Sequence, residues 1–181
     1  MLKSYNIERV NFLIIEDNTH MSVMVNTILT AFGARNIIEA SNGADAFKVL
    51  KHYPADIIIC DWVMQPLDGI DFVRMVRTSK DSPNPFIPII MLTGYTEMHR
   101  VTEARDAGVN EFLAKPISAK NLYSRIQAII EHNRPFIKIK NFFGPDRRRK
   151  DVSNYQEADR RKQQANVIAA QAILNVSVNE K

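Results

Sequence analysis

Five short runs of apolar residues alternate, over the first 133 positions, with segments whose apolar residues recur every three to four places. The first run, Phe12, Leu13, Ile14 and Ile15, lies in a strand predicted over 10–15. A helix follows over 19–32, with Met21, Met24, Val25, Ile28 and Leu29 at helical spacing and Gly33 as its stop. The alternation continues with a strand over 36–40, a helix over 44–52 ended by Pro54, a strand over 56–60, and a helix over 70–78 in which Phe72, Val73 and Val76 share a face. A loop with two prolines over 79–85 leads to a strand over 87–92. A helix over 97–107 stopped by Gly108, a strand over 111–114 and a helix over 119–133 with Leu122, Ile126, Ile129 and Ile130 inward complete the series. Strands that are apolar throughout belong in a parallel sheet covered on both faces, with right-handed crossovers. The predicted fold is an α/β, doubly wound, five-stranded parallel sheet.

Pro135 ends the last of these helices and the pattern changes. Residues 136–140 alternate, 141–145 read as a turn, and 146–150 form a basic cluster. Ser153 and Gln156 have the spacing of a capping box. The helix they would start is polar over 155–164 and mostly apolar over 165–176, around Val167, Ile168, Ile173 and Leu174. The chain therefore divides into an α/β domain over 1–133, a basic linker over 134–152, and a C-terminal helix and tail over 153–181. Charge divides at the same place. The net charge of +4 comprises 13 Lys and Arg against 15 Asp and Glu up to residue 133, and 11 against 5 beyond it. The basic character belongs to the tail.

With 181 residues and 45% hydrophobic side chains the chain can bury a core without covalent staples. Its single cysteine, Cys60, lies in an apolar run, which predicts a buried thiol in a reducing compartment, the cytoplasm. No apolar stretch approaches the roughly 18 residues of a membrane span, and no signal peptide is expected.

Four of the five strands end in polar reactive side chains. The first is followed by Glu16 and Asp17, the third by Asp61, the fourth by Thr93 and the fifth by Lys115. In an open parallel sheet these ends lie side by side, and ligands bind in the crevice outside them. Any one of these residues alone reads as a cap or a solvated charge; their joint placement does not. Carboxylates accept phosphoryl groups where a metal and a cation neutralise the developing charge. Glu16, Asp17 and Asp61 supply the hard oxygen ligands that Mg²⁺ prefers. Lys115 supplies a compact ammonium and Thr93 a hydroxyl donor.

On these residues the chain resembles, over about 8–132, the receiver domain of two-component response regulators, most closely the single-domain chemotaxis type. The matching motifs are Glu16 with Asp17, Asp61 to Met64 with Asp68 and Gly69, Thr93 with Gly94, and Lys115 with Pro116. The resemblance implies a flavodoxin-like (βα)5 fold, non-enzymatic acceptance of a phosphoryl group on Asp61 from a histidine kinase or phosphotransfer protein, and Mg²⁺ held by Glu16, Asp17, Asp61 and the backbone carbonyl of Val63. It further implies a switch in which Thr93 moves inward and Phe112 rotates, reshaping a surface read by a downstream protein. Val63 and Tyr95 correspond to positions that flank the approach of water; neither is an acid or an amide, so slow dephosphorylation is expected. Gln65 with Pro66 departs from the family, and residues 79–86 read as a surface insertion without a role.

A haloacid-dehalogenase-like phosphatase also uses a strand-end Asp, Mg²⁺, Thr and Lys, but needs a second acid where Val63 stands. A third reading is a nucleic-acid-binding regulator acting through the basic tail, where Arg147, Arg148, Arg149, Arg160, Arg161 and Lys162 could equally meet an acidic partner. His20, His52, His99 and His132 show no ligand spacing. Trp62 is expected half exposed, as a fluorescent reporter of the site.

Overall fold

A computed structural model describes residues 4–94, 98–132, 134–139, 142–146, 166–168 and 177–179. In chain order its elements are β1 (Ser4–Asn6), β2 (Asn11–Ile15), α1 (Thr19–Ala31), β3 (Asn36–Ala40), α2 (Gly43–Leu50), β4 (Ile57–Asp61), α3 (Gly69–Thr78), β5 (Ile89–Thr93), α4 (Met98–Ala107), β6 (Glu111–Ala114) and α5 (Ala119–Glu131). Strands β7 (Phe136–Ile139), β8 (Phe142–Pro145), β9 (Asn166–Ile168) and β10 (Ser177–Asn179) follow.

The central sheet is parallel with strand order β3-β2-β4-β5-β6. Alternation along each strand sends side chains to two separate cores. Leu13, Ile15, Ile58, Cys60, Ile89 and Met91 face α2, α3 and α4. Phe12, Ile14, Ile57, Ile59, Ile90 and Leu92 face α1 and α5. Most of these side chains are wholly buried, and each such Ile, Leu or Phe stabilises the fold by about 1.5–3 kcal/mol. Helix starts follow local chemistry. Asn18, Asn42, Asp68 and Ser118 each cap a helix by accepting from the amide three residues on. Gly33 and Gly108, at φ +95° and +102°, turn the chain out of α1 and α4.

The five strands and five helices of the predicted sheet are all present, with bounds moved by a few residues. The C-terminal expectations change more. Phe142–Pro145, read as a turn, pairs antiparallel with β7 as a strand. The helix expected beyond residue 153 lies outside the described residues except at Asn166–Ile168. Those three residues form a strand on the other edge of β7. Strand β10 pairs antiparallel with β1, an N-terminal strand the hydrophobic pattern did not reveal.

The hairpin of β7 and β8 packs on the ends of α3 and α4 that lie away from the strand carboxyl ends. Phe136 is buried, and its ring meets Phe86 at 5.2 Å and Phe143 at 5.5 Å. The guanidinium of Arg77 lies 5.1 Å from the centre of the Phe136 ring. Arg77 is itself buried; its Nε donates to the Gly108 carbonyl at 3.1 Å, Nη1 to the Pro85 carbonyl at 2.7 Å and Nη2 to Asn110 Oδ1 at 3.0 Å. Burial pushes its pKa down to about 9, while three neutral acceptors hold the cation in place. Residues 79–86 therefore have a structural role after all, supplying Pro85 and Phe86 to this cluster. No helix among the described residues is long and apolar enough to cross a membrane.

Candidate functional site

The parallel register fixes where the strand ends meet. Asp61 stands opposite Leu92 and Thr93 opposite Ala114, so the carboxyl ends of β4, β5 and β6 are level, and Lys115 N donates to the Thr93 carbonyl at 2.8 Å. Glu16, directly after β2, is held by its own amide donating to the Ala40 carbonyl at 3.1 Å. Chain order reverses across β2, with β3 on one side and β4 on the other, and the acids gather at this switch point.

Glu16 and Asp61 are buried and Asp17 is exposed, yet one carboxylate oxygen from each lies within 4.8 Å of the others. Lys115 Nζ donates to Asp61 Oδ1 at 2.8 Å and to Glu16 Oε2 at 3.2 Å. Burial raises the Glu16 pKa above its ordinary value, and the Asp61 charge adds to the rise against the pull of Lys115. Burial lowers the Lys115 pKa, but hydrogen bonds and charges from Asp61 and Glu16 outweigh it, so the net shift is upward and the ammonium persists. Lys115 thus pairs with two of the three clustered carboxylates. The hard oxygen donors, their closeness and the excess negative charge suit a divalent cation such as Mg²⁺.

The loop after Asp61 is fastened by Gly69, whose amide donates to the Trp62 carbonyl at 2.9 Å. A Cβ at Gly69 would come within 2.1 Å of the Asp61 carbonyl oxygen, so only glycine allows this approach. The Gln65–Pro66 and Lys115–Pro116 peptide bonds are both cis. Thr93 is buried, Phe112 is half buried against the core facing α2 to α4, and Val63 projects into solvent with 56% of its surface exposed. Tyr95 lies outside the described residues.

Trp62, expected half exposed, is buried, with the Arg100 guanidinium 5.9 Å from its ring centre. The indole packs in the core cluster that faces α2, α3 and α4. Asn18 was not among the expected site residues. Its amide donates to Glu16 Oε1 at 3.2 Å while its side chain caps α1, and the signal was there in a capping residue directly behind the acid pair. His20, His52 and His132 are exposed; the side chain of His99 is not described.

Comparison with known proteins agrees with this geometry. Residues 12–127 match the response regulator receiver domain. Chemotaxis protein CheY-3 of Vibrio cholerae serotype O1 is 30% identical over 124 residues, spanning 68% of this chain and 94% of that protein. Chemotaxis protein CheY of Pseudomonas aeruginosa is 33% identical over 119 residues, spanning 66% of this chain and 94% of that protein. Among solved structures, the receiver domain of a sensor histidine kinase from Pseudomonas aeruginosa PAO1, with magnesium coordinated in its active-site cleft, superposes with a TM-score of 0.60 at 26% identity, covering 67% of this chain and 98% of the other. A matched pattern over most of the chain and five polar residues at the carboxyl ends of four strands lead to one conclusion: this chain belongs to the response regulator receiver family.

Proposed function

We propose that Asp61 accepts a phosphoryl group from the phosphohistidine of a kinase or phosphotransfer protein, and that Glu16, Asp17, Thr93 and Lys115 act in the same transfer. The observation that carries this reading is Lys115 Nζ at 2.8 Å from the buried Asp61 carboxylate, within a cluster of three acids. An Asp61 oxygen forms the new O–P bond as the P–N bond of the donor breaks. The electron pair passes to the donor imidazole, which takes up a proton. Lys115 leaves its carboxylate partners to hold one phosphoryl oxygen, and the Thr93 hydroxyl donates to another. Glu16, Asp17, Asp61 and the Val63 carbonyl would hold Mg²⁺, whose chemistry is to neutralise charge on the phosphoryl oxygens.

The protein then works as a cytoplasmic switch and not as an enzyme. Engagement of Thr93 draws Phe112 inward and changes the face formed by α4, β6 and α5, which a downstream protein reads. Residues 1–133 would form the receiver, and the basic residues within 134–152 together with 153–181 a contact for an acidic partner surface. Val63 is exposed, and neither it nor Tyr95, at the two positions that the family resemblance puts beside the approach of water, is an acid or an amide; dephosphorylation is slow, and Val63→Asn combined with Tyr95→Glu should accelerate it. Acetyl phosphate with Mg²⁺ should add one phosphoryl mass to Asp61, stable to acid and removed by hydroxylamine. An increment that persists in Asp61→Asn would defeat the assignment.

A further inference from the structure

The β7–β8 hairpin does more than cover a sheet end. It grips the far ends of the two elements whose near ends lie at the site. Helix α4 begins five residues after Thr93 and ends at Ala107 beside Gly108; β6 carries Lys115 at one end and Glu111 at the other. A Cβ on Gly144 in β8 would stand 2.9 Å from Gly108 Cα, and one on Gly108 would stand 3.1 Å from the Phe143 carbonyl oxygen. The two backbones are therefore in full contact, with no slack. Arg134, at the root of the hairpin, donates to the Asn110 carbonyl and meets Glu111 Oε1 at 3.3 Å and the Asp146 carbonyl at 3.3 Å. Glu111 also pairs with Arg125 of α5 at 3.5 Å. Its neighbour in sequence is Phe112. Asn110 in turn accepts from buried Arg77 and from the Ile89 amide, tying the starts of β5 and β6 to the Phe136 ring.

We infer that this hairpin is an internal ligand of the switch face, docked in the arrangement before phosphorylation and loosened when Asp61 is phosphorylated. This rests on the Asp61 reading given above. The hairpin is also fixed to β6 through Arg134 and to α3 through Phe136 over Arg77, so it cannot follow a displaced α4 without losing one of these contacts. Motion of α4 or β6 driven from Thr93 therefore weakens docking. Reciprocity then requires that the docked hairpin oppose phosphorylation by the same factor. The basic run that begins at Arg147 follows β8 directly in the chain, so its presentation is coupled to the same equilibrium.

The test uses the full chain with beryllofluoride and Mg²⁺, following bound beryllofluoride by fluorine NMR and amide exchange of 136–145 by mass spectrometry. Loading should speed exchange of the hairpin by about fivefold or more, and Phe136→Ala should bind beryllofluoride more tightly by a like factor. Should that variant not fold, Arg134→Gln removes the tie to Glu111 and answers the same question. Full loading with hairpin exchange unchanged would overturn the inference while leaving the Asp61 reading intact. If no beryllofluoride binds and acetyl phosphate does not react, the Asp61 reading itself fails and takes the inference with it.

Discussion

A cation stands at each end of the sheet, Lys115 partly buried and Arg77 buried, and the two are held under opposite rules. At the carboxyl end Lys115 faces Glu16 and Asp61, with Asp17 alongside, so negative charge is in excess and the pKa of Glu16 is driven up. At the amino end Arg77 faces, among the described residues, the carbonyls of Gly108 and Pro85, the side chain of Asn110 and the face of Phe136, all neutral. The first arrangement has more carboxylates than the cation it pairs with can neutralise, which suits it to a divalent cation. The second is complete already and serves to hold the fold. Burial of an ion therefore does not by itself mark a site; the balance of its partners does.

The sharpest way to break this contrast is Arg77→Ala, which takes the donor from the Gly108 and Pro85 carbonyls and removes the platform under Phe136. It should cost about 4 kcal/mol in denaturant unfolding, and Arg77→Lys should not restore it, because one ammonium cannot reach three divergent acceptors. Next is Gly69→Ala. Its Cβ has no room beside the Asp61 carbonyl, so the loop must shift at a cost of about 2–3 kcal/mol, with Mg²⁺ binding weakened by the same change. Lys115→Ala should behave in the opposite manner to Arg77→Ala. Stability should fall by less than in Arg77→Ala, while phosphorylation by acetyl phosphate should slow about 100-fold in a mass-spectrometric time course.

The smallest effects come from pH. The raised Glu16 pKa means that the folded state takes up this proton more readily than the unfolded chain. Ionised Glu16 therefore opposes folding above its ordinary value of 4.5, and the proton competes with Mg²⁺. Mg²⁺ affinity, read by Trp62 fluorescence, should begin to fall at a pH above the ordinary glutamate range, and Glu16→Gln should move that onset lower. Lys115 has the reverse consequence. Its raised pKa contributes stability that is fully present below 10.5 and is lost as pH rises through the folded value, so Lys115→Met should flatten the alkaline limb of the stability curve.

The contrast also explains which parts were legible in the sequence. Strands β2 to β6 and their helices follow a strict period, and each acid, hydroxyl or amine of the site sits immediately past an apolar run. Local pattern therefore carried both fold and crevice. The cluster at the other end draws on Arg77, Phe86, Gly108, Asn110, Phe136 and Phe143, joined only through tertiary contact. Arg77 did leave a trace. It lies four residues after Val73, on the buried face of α3, where a charge needs a partner to be tolerated. Gly144 and Pro145 read as a turn because both residues are turn formers in general. Here the glycine is required for close approach to Gly108, and the proline occupies the end of an edge strand. Burial of Trp62 was equally hidden, since Arg100 reaches it from 38 positions away.

Strand β10 pairs with β1, so the segment after α5 is moored at both extremities, once by the helix and once beside Asn6. A hairpin that undocks from α4 remains a closed loop and does not become a free end. Its local concentration near the vacated surface stays high, and return is fast because little chain entropy has to be surrendered again. Cutting that second mooring, for instance by deleting residues 177–181, would leave the hairpin tethered through α5 alone and raise the entropy cost of redocking only slightly.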